Sequence, residues 1–261
     1  MSKPVAVFAV LGLLIAAGLS VYVFEPFKRH ETVLGSTELN SDKPTALKVL
    51  FVGNSFTFYG PMPTIFGKLV LAGDPGRGVK IRMEALPSAK LVEHDKNGKV
   101  AHILAADGPW DYVVLQDQSR IAWTDPVAMR VGAKNLDALG RAAGARTVLF
   151  TTWADTKETD REQDMITGAY ERTAAELGVA VAPVGRAWFA TGPLRQKLYV
   201  QDGHHPSALG VYLTACVFYA MLVGKSPVGL PYPAEATEPA SAADIATVQD
   251  VAARTTQTVG R

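Results

Sequence analysis

Five short apolar runs, separated by longer segments of helical periodicity, constrain the fold of this chain more than any other feature. Each run is rich in branched residues and has the length of a buried strand. Strands that alternate with helices pair in parallel and carry helices on both faces of their sheet. The pattern therefore predicts an α/β fold, a three-layer α/β/α sandwich with a five-stranded parallel sheet. The predicted strands cover 47–53, 79–86, 111–116, 147–152 and 179–184.

The helices between and after these strands have recognisable ends. Asp125 precedes Pro126, and this is a favourable helix start because aspartate caps the first turn and proline tolerates the first helical position. Gly178 is placed to end the fourth helix. The predicted helices cover 61–73, 89–106, 126–143, 161–177 and 206–223, with a modest terminal helix at 241–258.

Residues 4–24 form an apolar segment without a charged residue. As a helix, this segment is long enough to cross a bilayer, which needs about 20 residues. A cleaved signal peptide is the alternative, although its apolar region is normally about 7–15 residues long and ends at a small-residue cleavage site. We therefore predict an N-terminal apolar helix, a membrane anchor or signal segment, over 1–29, a linker over 30–45 and a folded domain over 46–261. The domain is expected outside the cytoplasm, in the periplasm or cell envelope, or secreted if the segment is cleaved.

Composition limits the partners and cofactors of this chain. The formal net charge is +1 in 261 residues, which gives no reason to expect nucleic acid as a partner. Cys216 is the only cysteine and lies in an apolar run, so no intrachain disulfide can form and a buried thiol is expected. The sequence has no Gly-rich phosphate loop and no dinucleotide fingerprint, and no cofactor is expected.

Two separated motifs offer groups that together suit nucleophilic catalysis. The first strand runs into Gly53-Asn54-Ser55, which puts a serine hydroxyl on the turn that leaves a buried strand. Asp202 and His205 lie three residues apart in DGHHPSALG. A serine hydroxyl becomes nucleophilic when a histidine takes its proton, and a carboxylate orients that histidine. We therefore predict acyl transfer with Ser55, His205 and Asp202 as nucleophile, base and orienting carboxylate.

The same residues have simpler interpretations. Ser55 could be an ordinary turn residue. His204 could compete with His205 for the role of base, although only His205 has the Asp-x-x-His spacing. Asp202 and the two histidines could bind a metal, but three ligands from one short loop make a poor zinc or di-metal centre. No metal site is therefore expected.

The order and spacing of these motifs resemble those of the SGNH (GDSL-type) hydrolase superfamily. GNSFT is similar to the block that carries the nucleophilic serine, and Asp202 and His205 fall in a stretch similar to the closing block. This layout covers nearly all of 46–225. The resemblance implies a flavodoxin-like sandwich with Ser55 as the nucleophile.

The two middle blocks depart from the usual pattern of this superfamily. The second block normally has a glycine whose backbone N–H joins the oxyanion hole, and LPSAKLVEH has Ser88 in its place. The third block normally reads Gly-x-Asn-Asp, and this chain has QDQS at 116–119. The resemblance thus implies an oxyanion hole made of the N–H groups of Ser55 and Ser88 and the side-chain amide of Gln118. It also indicates an atypical subgroup with glutamine in the third block.

The resemblance implies a serine ester hydrolase that removes acyl groups, O-acetyl groups among them, from a small-molecule or glycan ester through an acyl-enzyme intermediate. An O-acyltransferase would use the same intermediate with an alcohol as acceptor. A non-catalytic carbohydrate- or envelope-binding protein with the same fold is the alternative from another class. The departures at Ser88 and Gln118 favour that alternative, whereas the intact predicted triad opposes it.

Several other residues near these motifs have open roles. His94 and His102 lie eight residues apart on a predicted helix and are expected to be surface or packing residues. Trp153 could line a substrate pocket or be buried for structural reasons. Asp117 is expected to be held by neighbouring backbone donors, and Arg120 could bind an anionic substrate or be solvated.

Overall fold

The computed structural model of the chain describes residues 39–40, 46–234 and 238–257. The predicted apolar segment at 4–24 and most of the predicted linker lie outside these residues. None of the helices within the described ranges is long and apolar enough to cross a membrane.

The described residues contain six strands: β1 (Leu39–Asn40), β2 (Leu47–Gly53), β3 (Val79–Ala85), β4 (Tyr112–Leu115), β5 (Arg146–Phe150) and β6 (Ala180–Ala182). They form one sheet in the order β1-β3-β2-β4-β5-β6. Strands β2 to β6 are parallel, which confirms the predicted five-stranded parallel sheet. β1 lies in the stretch predicted as a linker and pairs antiparallel with β3.

Ten α-helices occur in the described part of the chain, with a 3₁₀ turn at Gly192–Leu198 and a π turn at Tyr219–Val223. The helices are α1 (Ser55–Phe58), α2 (Met62–Gly73), α3 (Leu91–Asn97), α4 (Lys99–Asp107), α5 (Ile121–Thr124), α6 (Pro126–Ala142), α7 (Asp160–Leu177), α8 (Val184–Ala190), α9 (Ala208–Phe218) and α10 (Ala242–Gln257).

Two predicted helices differ from those observed. The helix predicted over 89–106 is two helices, α3 and α4, because Gly98 between them takes a left-handed conformation with φ of 71°. The helix predicted over 206–223 is regular only to Phe218 and continues as the π turn. The predicted helix ends at Asp125 and Gly178 are confirmed, since Asp125 accepts a hydrogen bond from the backbone N–H of Ala128 and Gly178 caps α7 with φ of 65°.

The central strand β2 is buried on both faces and separates two layers of helices. Val49 and Phe51 pack in a core that includes residues of α2, α9 and α10. Leu50 and Val52, which point the opposite way, pack with residues of α3, α4, α6 and α7. This arrangement confirms the three-layer sandwich. Cys216 is fully buried in α9, and burial raises the pKa of its thiol.

Candidate active site

Three of the segments that carry predicted site residues follow the carboxyl ends of neighbouring parallel strands. Ser55 follows β2, Ser88 follows β3 and Gln118 follows β4. Because these ends meet at one edge of the sheet, the fold brings the three segments together, as is usual for ligand sites in such sheets.

Ser55 is the first residue of the four-residue helix α1, which Asn54 caps. The side-chain oxygen of Asn54 accepts a hydrogen bond from the backbone N–H of Phe56 at 3.1 Å. Ser55 is half-buried, and its hydroxyl makes no hydrogen bond with any described residue. The structure therefore fixes the backbone at Ser55 and leaves its hydroxyl without a hydrogen-bond partner among the described residues.

Gln116 fixes this turn from the neighbouring strand. Its side-chain oxygen accepts hydrogen bonds from the backbone N–H of Asn54 at 2.9 Å and from the hydroxyl of Thr57 at 2.8 Å. Its amide nitrogen donates to the side-chain oxygen of Asn54 at 2.9 Å. A Cβ atom at Gly53 would lie 2.4 Å from the Thr57 hydroxyl oxygen and 2.5 Å from the Gln116 oxygen. Glycine at position 53 is therefore required for this close approach.

His94 supports the same turn as a buried packing residue, which is one of the two roles expected for it from the sequence. It is fully buried, and its Nε2 lies 2.8 Å from the backbone oxygen of Gly53. Burial lowers the pKa of His94, although the hydrogen bond with Gly53 opposes that shift. The ring is therefore neutral and Nε2 donates to the Gly53 oxygen. His102 is exposed, as expected.

Asp202 and His205 form a hydrogen-bonded pair. His205 Nδ1 donates to one carboxylate oxygen of Asp202 at 2.6 Å. The other oxygen accepts from the backbone N–H groups of His204 at 2.8 Å and His205 at 2.9 Å. Burial acts to raise the pKa of Asp202, but these hydrogen bonds outweigh it and the pKa is lowered. The ionised carboxylate thus keeps the hydrogen on Nδ1 and leaves His205 Nε2 as an acceptor.

The ring of His205 packs against the helix that begins at Ser55. It stacks on Tyr59 with ring centroids 4.5 Å apart and meets Phe56 edge-on at 6.1 Å. Phe56 is the next residue after Ser55, and the backbone N–H of Tyr59 donates to the backbone oxygen of Ser55 at 2.6 Å. The structure therefore packs the His205 ring against α1, the helix whose first residue is Ser55. The Ser55 hydroxyl and His205 are not hydrogen-bonded to each other.

Ser88 occupies the exposed turn after β3 in a left-handed conformation. Its φ of 57° makes it the one described residue other than glycine with positive φ. This is the conformation that glycine adopts most readily. The backbone oxygen of the next residue, Ala89, accepts a hydrogen bond from the Asn54 side chain at 3.0 Å. The Ser88 turn is thus tied directly to the turn that carries Ser55.

The Gln118 side chain is bound within its own loop. Its oxygen accepts a hydrogen bond from the backbone N–H of Arg120 at 2.9 Å, and its amide nitrogen donates to the Ser119 hydroxyl at 3.2 Å. The oxygen is therefore used to order the loop. The amide nitrogen carries two hydrogens, so the one that is not bound to Ser119 has no hydrogen-bond partner among the described residues.

Asp117 links the segments that follow β3 and β4. One of its carboxylate oxygens accepts from the backbone N–H groups of Leu91 at 3.0 Å and Gln118 at 2.7 Å, as expected from the sequence. Its other oxygen is buried without a hydrogen-bond partner among the described residues. Burial raises the pKa of Asp117 to about 6, against the opposing effect of the hydrogen bonds from Gln118 and Leu91.

Trp153 is a structural residue, which decides between the two interpretations of the sequence. It is 1% exposed and lies between Phe56 and Trp188, with ring centroids 4.2 Å and 3.9 Å away. Its Nε1 donates to the backbone oxygen of His204 at 3.0 Å. The stack therefore holds the histidine loop against α1.

His204 forms a second imidazole–carboxylate pair that the sequence did not reveal. Its Nδ1 hydrogen-bonds to Asp155, which follows β5. Arg120 forms ion pairs with Asp155 at 3.3 Å and with Glu158 at 3.0 Å, so it is not a free cation for an anionic substrate. Asp155 and His204 are 49 residues apart, a separation that no local motif encodes.

Within the described ranges, no group of three or more histidine, cysteine or acidic side chains could hold a metal ion.

No protein-family model matches the chain. No curated protein matches it.

Several solved structures are similar to this chain. One is a protein from Slackia heliotrinireducens described as a candidate SGNH hydrolase, with 30% sequence identity, a TM-score of 0.57, and coverage of 65% of this chain and 95% of that chain. A DUF4886 family protein from Bacteroides uniformis is 19% identical, with a TM-score of 0.66 and coverage of 80% of this chain and 94% of that chain. An acetylxylan esterase from Geobacillus stearothermophilus is 16% identical, with a TM-score of 0.56 and coverage of 77% of this chain and 99% of that chain. The last two similarities concern the fold alone.

Proposed function

The chain belongs to the SGNH (GDSL-type) hydrolase superfamily, and from that membership we propose that it is a serine esterase that acts on carboxylic ester bonds. We assign Ser55, His205 and Asp202 as its catalytic triad. The observation that carries this assignment is the packing of the Asp202–His205 pair against α1, whose first residue is Ser55.

His205 is the general base of the proposed mechanism. Its Nε2 takes the proton from the Ser55 hydroxyl as Oγ attacks the ester carbonyl, and then gives that proton to the departing alcohol. Water attacks the resulting acyl-enzyme in the same way, and the acid product leaves. Asp202 keeps the His205 ring in the required tautomer and orientation.

Backbone N–H groups supply most of the proposed oxyanion hole. The N–H groups of Ser55 and Ser88 are two donors, and the left-handed conformation of Ser88 supports a role for its N–H, because glycine usually stands at this place in the superfamily. The Gln118 amide is the third donor. Each such donor contributes on the order of a hundred- to a thousandfold in rate.

The proposed substrates are acyl esters of small molecules or glycans, including O-acetyl esters. The similar fold of an acetylxylan esterase is compatible with this class but does not select a sugar. An alcohol that replaces water at the acyl-enzyme would make the product a new ester, which is the acyltransferase form of the same chemistry.

We also propose that the apolar segment at 4–24 attaches the protein to a membrane with its catalytic domain outside the cytoplasm. Full-length protein should then sediment with the membrane fraction and be released by detergent but not by high salt. Recovery in the soluble fraction without those first residues would instead support a cleaved signal peptide.

Hydrolysis of an activated aryl acetate by the purified full-length chain in detergent tests the catalytic proposal. We expect Ser55→Ala and His205→Ala to lose several orders of magnitude in kcat, and Asp202→Asn to retain more activity because the base remains. Ser226→Ala, at an exposed serine outside the predicted motifs, is the matched control and should be unaffected. A parent protein that hydrolyses none of a panel of acyl esters would favour a non-catalytic binding protein.

A further inference from the structure

Two imidazole–carboxylate pairs lie side by side in this site, and the proposed mechanism uses only one of them. The rings of His204 and His205 are in contact, with centroids 4.7 Å apart and planes at 87°. His205 is bound to Asp202 and His204 to Asp155. Because Asp202 already orients the base, the second pair is not needed for proton transfer from Ser55.

The His204 ring is held in one orientation. Its Nδ1 is bound to Asp155, its ring contacts Phe56 at a centroid distance of 4.7 Å, and its backbone oxygen accepts from Trp153. Arg120 in turn fixes the second carboxylate oxygen of Asp155. A side chain held by so many contacts is suited to recognise a group on a ligand.

The free nitrogen of His204 is a hydrogen-bond acceptor. Burial acts to raise the pKa of Asp155, but the hydrogen bond with His204 and the charge of Arg120 outweigh it and the pKa is lowered. A carboxylate oxygen can only accept, so Nδ1 carries the hydrogen of this bond, and in that tautomer Nε2 carries the lone pair of the imidazole. No described residue hydrogen-bonds to Nε2, and 29% of the His204 side chain is exposed.

We propose that His204, held by Asp155, is a specificity-determining residue that accepts a hydrogen bond from a hydroxyl group next to the scissile ester. The enzyme then prefers esters of polyols and sugars over esters of simple alcohols. This inference rests on the proposed ester hydrolysis. A hydroxyl is the group that fits, because Nε2 in this tautomer offers a lone pair to a hydrogen-bond donor, and a hydroxyl is the donor that esters of polyols and sugars carry beside the ester bond.

Two acetate esters that differ only in their alcohol test the inference: ethyl acetate and glycerol 1-acetate. The full-length protein and its His204→Phe variant, which keeps a ring against Phe56 but loses the acceptor, are compared by kcat and KM for each ester. We expect kcat/KM for glycerol 1-acetate to fall about three- to tenfold, mainly through KM, which is the effect of one neutral hydrogen bond. The value for ethyl acetate should stay within about twofold of the parent.

Two further variants keep the test decisive if His204→Phe does not fold. His204→Gln restores an acceptor at about the position of Nε2 and should recover part of the preference for glycerol 1-acetate. Asp155→Asn, which removes the ionised partner, should lower that preference. His102→Phe makes the same replacement at an exposed histidine and should change neither ester.

The outcomes separate this inference from the proposed function. An equal loss for both esters in His204→Phe would assign His204 a purely structural role, and equal kcat/KM of the parent for the two esters would also overturn the inference. Both results leave the esterase proposal intact. Failure of the parent to hydrolyse either ester or an activated aryl acetate would count against the proposed function itself.

Discussion

The side-chain oxygen of Gln116 accepts a hydrogen bond from the backbone N–H of Asn54 at 2.9 Å, one residue before the candidate nucleophile. Both residues are buried, and Gln116 also binds the Asn54 side chain and the Thr57 hydroxyl. The turn at Ser55 is therefore shaped by the end of the neighbouring strand rather than by its own sequence alone. This relationship leads to the first prediction.

Gly53→Ala should destabilise the protein and reduce its activity. The added Cβ would meet the Thr57 and Gln116 oxygens at 2.4 Å and 2.5 Å, and it would have to break their hydrogen bonds. We expect a cost of about 1–3 kcal/mol in the free energy of unfolding, measured with urea. Gly76→Ala is the control, because no atom lies within 4 Å of a Cβ there, and should change stability by less than about 1 kcal/mol. Equal stability of the two variants would contradict the role of Gly53.

Ser88→Gly should retain activity within about threefold. The proposed role of Ser88 uses its backbone N–H, and glycine accepts a φ of 57° without strain. Relief of that strain, on the order of 1 kcal/mol, is offset by the greater chain entropy of glycine in the unfolded state, so stability should change little. The rate of ester hydrolysis tests the predicted activity of Ser88→Gly, and thermal melting tests its predicted stability. Inactivation as severe as that of Ser55→Ala would assign a role to the Ser88 hydroxyl instead.

Protonation of His94 should lower the free energy of unfolding as the pH drops below about 6.5. Burial lowers its pKa in the folded state, so the folded protein disfavours the protonated ring. The contribution of His94 to the free energy of unfolding is therefore fully present at pH values above its pKa in the unfolded chain. It is lost as the pH falls toward its lower pKa in the folded protein. His94→Gln keeps an N–H donor for the Gly53 oxygen but does not titrate. Urea unfolding of parent and variant between pH 7 and 5 should show a smaller decline in the variant, whereas parallel curves would refute this assignment.

Asp117 should have the opposite pH dependence. Its pKa in the folded state is raised from 3.8 to about 6, so the folded protein favours the protonated carboxyl. The stabilisation of the folded protein by protonated Asp117 is fully present at pH values below the pKa of this carboxyl in the unfolded chain. It is lost as the pH rises through its folded-state pKa of about 6. A shift from 3.8 to about 6 corresponds to on the order of 3 kcal/mol.

Asp117→Asn keeps a side-chain oxygen for Leu91 and Gln118 but removes this titration. The free energy of unfolding of the parent, relative to the variant, should therefore decrease between pH 4 and pH 7. The comparison between the two proteins cancels the titration of all other groups. A constant difference across that range would mean that Asp117 keeps an ordinary pKa in the folded state.

The sequence was sufficient to predict the sheet and the local parts of the site. Branched apolar runs located all five parallel strands, because burial on both faces requires such runs. The Asp202–His205 pair was predictable because its members are three residues apart. The break at Gly98 was missed, since a single glycine costs a helix only about 1 kcal/mol and tertiary packing decides whether the helix continues.

The remaining contacts join residues far apart in the chain and leave no periodic signal. His94 lies 41 residues from Gly53, and His204 lies 49 residues from Asp155. The tertiary packing of loops and helices on the sheet brings these residues together. From the sequence, His94 was expected to be a surface or packing residue and His204 a competitor of His205 for the role of base, and neither long-range contact was predictable.

Covalent labelling with a fluorophosphonate tests the central claim most directly, because a nucleophilic serine displaces fluoride and retains the phosphonyl group. Peptide mapping of the labelled full-length protein should find one adduct, on Ser55, and none in Ser55→Ala. His205→Ala should label far more slowly, since the base is missing, and Ser88→Gly should label as the parent does. An adduct on another serine, or equal labelling of Ser55→Ala and the parent, would contradict Ser55 as the nucleophile.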